Sequence, residues 1–142
     1  VSELLGEYSR KLDAKGRLSL PADFRKVLSD DLWVTQDPKD QCLLVFDSTE
    51  AFSQWADSLI EAQGGYSAGN GNMVAVRRVL NSRVQKYEID NSGRINLDSK
   101  QRTVVGLDKD VVIVGDMDHF EIWDEQRWNQ FVAETDIASL VS

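Results

Sequence analysis

Residues 12–20 read "LDAKGRLSL", and seventy-seven positions later residues 89–97 read "IDNSGRINL". The match continues past the turn. "LWVTQ" and "CLLVFDSTEAFSQW" in the first copy answer to "DVVIV" and "FEIWDEQRWNQF" in the second, and Asp47 precedes Asp124 by the offset that separates Asp13 from Asp90. A match of this length with so little inserted or deleted marks one supersecondary unit written twice. At 142 residues the copies have chain enough for one shared core and too little for two comfortable ones.

Periodicity gives each unit a coarse form. Leu12, Leu18 and Leu20, like Ile89, Ile95 and Leu97, alternate with polar residues as half-buried strands do. Between the strands Gly16 or Gly93 can take positive φ, and Asp13 or Asp90 can accept backbone N–H groups. Pro21 suits the first turn of a helix and Asp98 suits an N-cap at the same place. Short helices should follow, with Phe24, Val27 and Leu28, or Val104 and Val105, facing inward. Two further strands lead to helices starting at Asp47-Ser48 and Asp124-Glu125, with Phe52 and Trp55, or Trp128 and Phe131, inward. The predicted order is strand, strand, short helix, strand, strand, helix, twice, with Phe24, Trp55, Trp123 and Trp128 in the core.

The predicted units span 7–54 and 84–127. Residues 55–83 hold a helix, the glycine-rich connection "AQGGYSAGNGN", and a basic helix with Met73, Val76, Leu80 and Val84 at helical spacing; 128–142 finish the last helix and tail.

A net charge of -8 speaks against a nucleic-acid partner, but its distribution does not. Residues 10–26 and 77–102 each sum to +4 and together hold thirteen of the sixteen cationic side chains. These are also the two stretches that carry the repeated motif.

Catalytic readings fail on inventory. His119 is the one histidine and Cys42 the one cysteine, so no Cys/His zinc site forms within a chain. No nucleophile elbow, P-loop or dinucleotide fingerprint is present. "GDMDHFE" lacks the spacing of an EF-hand loop and reads as a solvated turn. No enzyme activity, cofactor, metal or small-molecule substrate is expected, and Cys42 in "CLLVF" reads as a packing residue. The sequence contains neither a membrane-spanning run nor a basic-then-apolar signal segment, which predicts a cytoplasmic protein with no membrane partner.

The repeated Asp-x-x-Gly-Arg turn has two readings. Arg17 and Arg94 could simply pair with Asp13 and Asp90, a surface contact contributing about 0–1 kcal/mol. Alternatively, a guanidinium pre-oriented by the carboxylate offers a planar fork for a phosphate, or for the O6 and N7 of guanine.

"GEYSRKLDAKGRLSLPADFR", "RRVLNSRVQKYEIDNSGRI" and "VVIVGDMDHFEIWDEQRW", with the repeat, resemble the MraZ family of bacterial transcription regulators over residues 5–132. The resemblance implies an α+β fold of tandem AbrB-like half-units that form a swapped-hairpin barrel with short helices and assemble into a homo-oligomeric ring. It implies that the turns face double-stranded DNA, which picks out Asp13, Lys15, Arg17, Asp90 and Arg94; Arg10, Lys11 and Lys86 are added from charge and strand parity. It further implies control of the division and cell-wall gene cluster through tandem G-rich promoter repeats, in a nucleoid-associated protein. The chain departs from the family pattern at Asp98, where proline is usual, and in its looser connection. The alternative is an AbrB-like antitoxin or protein-binding module acting at its own operator, for which a long disordered acidic tail is expected in place of the short "DIASLVS".

Overall fold

The computed structural model describes residues 3–66 and 71–141, so part of the glycine-rich connection lies outside the described residues. The first unit comprises β1 (Glu7–Lys11), β2 (Arg17–Ser19), α1 (Ala22–Arg25), β3 (Asp31–Gln36), β4 (Leu43–Phe46) and α2 (Thr49–Ala62). After α3 (Gly71–Ser82) the second gives β5 (Gln85–Glu88), β6 (Arg94–Asn96), α4 (Ser99–Val104), β7 (Asp110–Gly115), β8 (Phe120–Asp124) and α5 (Glu125–Glu134), with a final turn of helix, α6 (Ile137–Leu140). Each unit follows the predicted element order.

Six strands form one antiparallel sheet in the order β1-β7-β8-β4-β3-β5. The first strand of each unit therefore pairs in the other: β1 lies on β7 and β5 on β3. Among the described residues the remaining strands, β2 and β6, pair only with each other as a two-stranded ribbon. Leu18 and Ile95 meet at its centre and point down, while Leu32, Val34, Leu43, Val45, Val111, Ile113, Phe120 and Ile122 meet them from the sheet, with Phe24 between. On the opposite face Leu44, Phe46, Cys42 and Trp123 pack under α2 and α5. The order of layers is ribbon with short helices, then sheet, then long helices.

This arrangement overturns the expected swapped-hairpin barrel and the ring built from it. The larger sheet is open, with β1 and β5 as its edges, and neither sheet closes on itself. The ribbon strands have three residues each and end where α1 and α4 begin, at Pro21 and Asp98. Pro21 has no N–H to extend a ladder. The ribbon therefore stacks on the sheet and does not join it.

Other expectations need smaller corrections. Phe24 and Trp123 are buried, but Trp55 and Trp128 are half-buried, α5 buries no residue fully, and Phe131, Val27 and Val104 are exposed. Trp128 stacks on Phe131 and donates its indole N–H to Glu7 at 2.8 Å, so its polar edge needs a place near water. Leu80 is the one buried residue of α3, while Met73, Val76 and Val84 are partly covered. Cys42 is buried and burial pushes its thiol up, as a packing role requires.

Candidate nucleic-acid interface

Each Asp-x-x-Gly-Arg turn is held by its own carboxylate. Asp13 Oδ1 accepts the backbone N–H groups of Lys15 at 3.0 Å and Arg17 at 2.8 Å, while Oδ2 accepts Arg17 Nε at 2.6 Å. The second copy repeats this. Asp90 Oδ1 accepts from Ser92 and Arg94 at 2.8 and 3.0 Å, but Arg94 Nε stands 3.6 Å from Oδ2 and is buried without a hydrogen bond. Both carboxyls lie below their ordinary range, first because the backbone N–H of Arg17 or Arg94 binds the charged form. Gly16 and Gly93 close the turns at φ of +86° and +75°.

Strand pairing brings the two turns together. Arg17 lies opposite Asn96, and Ser19 opposite Arg94, with Leu18 and Ile95 buried between them. By strand alternation Arg17 and Arg94 stand on the same outer face of the ribbon, as diagonal neighbours about 7–8 Å apart at Cα. The carboxylates engage each guanidinium through its Nε edge. Among the described residues the Nη groups of both arginines donate no hydrogen bond within the protein, and both side chains are partly exposed. Gly16 O accepts from Leu97 N at 2.7 Å and Gly93 O from Leu20 N at 3.0 Å, so each turn is fastened to the other copy.

Arg25 and Arg102 belong to this site and escape the sequence reading. They are separated by the same seventy-seven positions, and each reaches across the ribbon to the opposite turn. Arg102 donates Nε to Leu97 O at 3.1 Å beside Gly16, and Arg25 lies over Gly93. The offset alone could have flagged them.

The flanking cations are placed differently. Lys11 pairs with Asp110, and Lys86 lies 3.5 Å from Asp31 and over the Trp33 ring. Strand alternation puts both on the sheet face opposite the ribbon, since Tyr8 and Tyr87, of opposite parity, join the ribbon-side core. Arg10 shares the parity of Tyr8 and lies over its ring, on the ribbon side. Lys15 is exposed on the first turn; its counterpart in the second is Ser92.

The family's usual proline does not alter the second turn. Asp98 adopts φ -61°, ψ 138°, against -57°, 139° at Pro21, so α1 and α4 leave the ribbon alike. The Asp98 carboxylate accepts from Gln85 and Lys100, and its N–H donates to the Tyr87 hydroxyl.

A duplicated α+β chain whose two hairpin turns are fastened to each other has the architecture of tandem AbrB-like halves. The chain belongs to the MraZ family: the family model described as "MraZ protein, putative antitoxin-like" matches residues 4–64 and 82–141. It is 38% identical over 130 residues to the transcriptional regulator MraZ of Saccharopolyspora erythraea, covering 92% of this chain and 87% of the relative. The MraZ regulators of Nocardioides sp. and Mycobacterium ulcerans are 40% and 39% identical, over 91% and 89% of this chain and 85% of each relative. It is thus a transcriptional regulator of the MraZ type and not an enzyme. No helix among the described residues is long and apolar enough to cross a membrane.

Proposed function

We propose that the protein controls the division and cell-wall gene cluster by gripping tandem G-rich promoter repeats with the β2–β6 ribbon. The observation that carries this is the pair of Asp-held arginines on one exposed ribbon face, each with its Nη groups unused. A two-stranded ribbon fits the major groove, about 12 Å wide, where a guanidinium fork can meet guanine O6 and N7. Arg17 and Arg94 read base edges, Lys15 and Arg10 hold phosphates, and Arg25 and Arg102 brace the turns. Lys11 and Lys86, on the far face, contribute field only. An acidic protomer offering so few cations binds weakly alone. Several protomers therefore associate on adjacent repeats, raising the effective concentration of each ribbon and holding the protein at the nucleoid.

The test is a gel-shift titration on G-rich repeats from the organism's own promoter, against scrambled DNA of equal length. Arg17→Ala should abolish the specific shift while leaving thermal unfolding unchanged. Retained specific binding in the folded variant would exclude the ribbon as the reading element.

A further inference from the structure

At the opposite end of β7 from the ribbon, the β7–β8 turn gathers one imidazole and three carboxylates. The sequence reads this turn as solvated, yet His119 is only 6% exposed, its ring stacked on Phe46 at 5.0 Å. His119 Nδ1 meets Asp118 Oδ1 at 2.9 Å, which fixes the ring with Nε2 toward Asp116 and Glu121. Nε2 faces Asp116 Oδ2 at 3.5 Å and Glu121 Oε2 at 3.9 Å, both longer than a normal N–H···O bond. Glu121 is oriented in turn, since its other oxygen accepts the Trp123 indole N–H at 2.9 Å.

One donor atom each from Asp116, His119 and Glu121 falls within 4.8 Å of the others. Tetrahedral ligands about 2.0–2.2 Å from a common ion stand roughly 3.3–3.6 Å apart; the 3.5 Å pair of His119 and Asp116 meets this, and a small rotation of the Glu121 side chain closes the rest. The backbone beneath is fixed as well: Asp116 N–H bonds to His119 O, and Met117 and Leu4 exchange both their N–H groups. Gly115 permits the approach, because a Cβ there would lie 2.5 Å from the Leu4 backbone.

We propose that this turn is a binding site for a divalent first-row transition-metal ion, ligated by His119 Nε2, Asp116 and Glu121, with Asp118 as the carboxylate that orients the imidazole. One imidazole and two carboxylates suit zinc or manganese better than calcium, which prefers an all-oxygen shell. Water completes the coordination on the side of Asp116, the most exposed ligand. Because β7 extends roughly 3.3 Å per residue, the ion lies some 15–20 Å from the ribbon and braces the hairpin without touching DNA.

The full-length protein, stripped with chelator and dialysed, is titrated with zinc chloride by calorimetry, with calcium chloride as comparison. One zinc per protomer should bind, raising the melting temperature by about 5 °C at saturation, with calcium far weaker. Asp116→Asn changes an exposed carboxylate and should keep the fold while losing at least tenfold in zinc affinity. Asp118→Asn should lose about 10–100-fold through the misoriented ring. Absence of zinc binding, equal binding of calcium, or zinc affinity unchanged in folded Asp116→Asn would each overturn the site. A cobalt-substituted sample adds a readout: a tetrahedral or five-coordinate visible absorption band is expected, and the spectrum of the aquo ion would also overturn it.

Discussion

Arg17 is held at its Nε edge and open at its Nη edge, which distinguishes shape from charge at a single residue. Arg17→Lys keeps the charge and loses the fork, so specific affinity should fall by about 1–3 kcal/mol per site, with binding to random DNA and its salt slope preserved. Equal losses on both DNAs in a fluorescence-anisotropy titration would reduce Arg17 to a phosphate clamp. Arg94→Ala should cost less than Arg17→Ala, because its carboxylate stands 3.6 Å away and its turn has no lysine. The clamp also carries a pH signature. Asp13 has a depressed pKa, so the stability it gives the turn is present above the ordinary carboxylate value and lost as pH falls through the depressed one. Specific binding should stay level through neutral and mildly acidic pH and fail only below it, and loss already near neutrality would contradict the clamp. The turn glycines separate as well. A methyl at Gly16 meets the Leu97 carbonyl at 2.5 Å, whereas at Gly93 it meets the movable Arg25 side chain. Gly16→Ala should therefore lower the melting temperature more than Gly93→Ala, each costing at least the ~1 kcal/mol of a left-handed non-glycine residue. Asp13, Gly16 and Arg17 were legible because their contacts are local. Arg25 and Arg102 were marked in the sequence only by their shared offset, since each acts on the other half's turn, and the burial of His119 was missed because its cover, Phe46, is distant in sequence.

The helix starts illustrate how different side chains impose one backbone. Pro21 fixes φ through its ring, and Asp98 reaches the same angles by capping α4. Asp98→Ala should cost about 1 kcal/mol in a denaturant melt, a capping loss. Asp98→Pro should restore φ but forfeit the N–H that binds the Tyr87 hydroxyl, gaining nothing. Element order was legible throughout, because periodicity and punctuation are local signals. Sheet closure was not: it depends on whether β2 and β6 find partners beyond each other, which three-residue strands do not announce. Nor was burial on the helical side. Trp123 sits in the sheet and Trp128 on a helix with no buried residue, so Trp123→Ala should cost ~3–5 kcal/mol and Trp128→Ala clearly less. Equal costs would mean that α5 is covered in solution.

Across the whole molecule the acidic majority and the basic ribbon set the terms of association. Light scattering should report a species of several protomers, and affinity for promoter repeats should fall steeply with salt. A strict monomer with tight, salt-insensitive binding would refute the arrangement. The exchange of first strands between the halves makes each depend on the other. Because β1 completes the second unit and β5 the first, neither unit presents a finished sheet without the other. Such reciprocity is the geometry of a swapped two-fold pair, here written within one chain. With both halves on one chain their meeting does not depend on concentration, and because Lys15 stands where the other copy has Ser92, the two ends of the ribbon are chemically unlike.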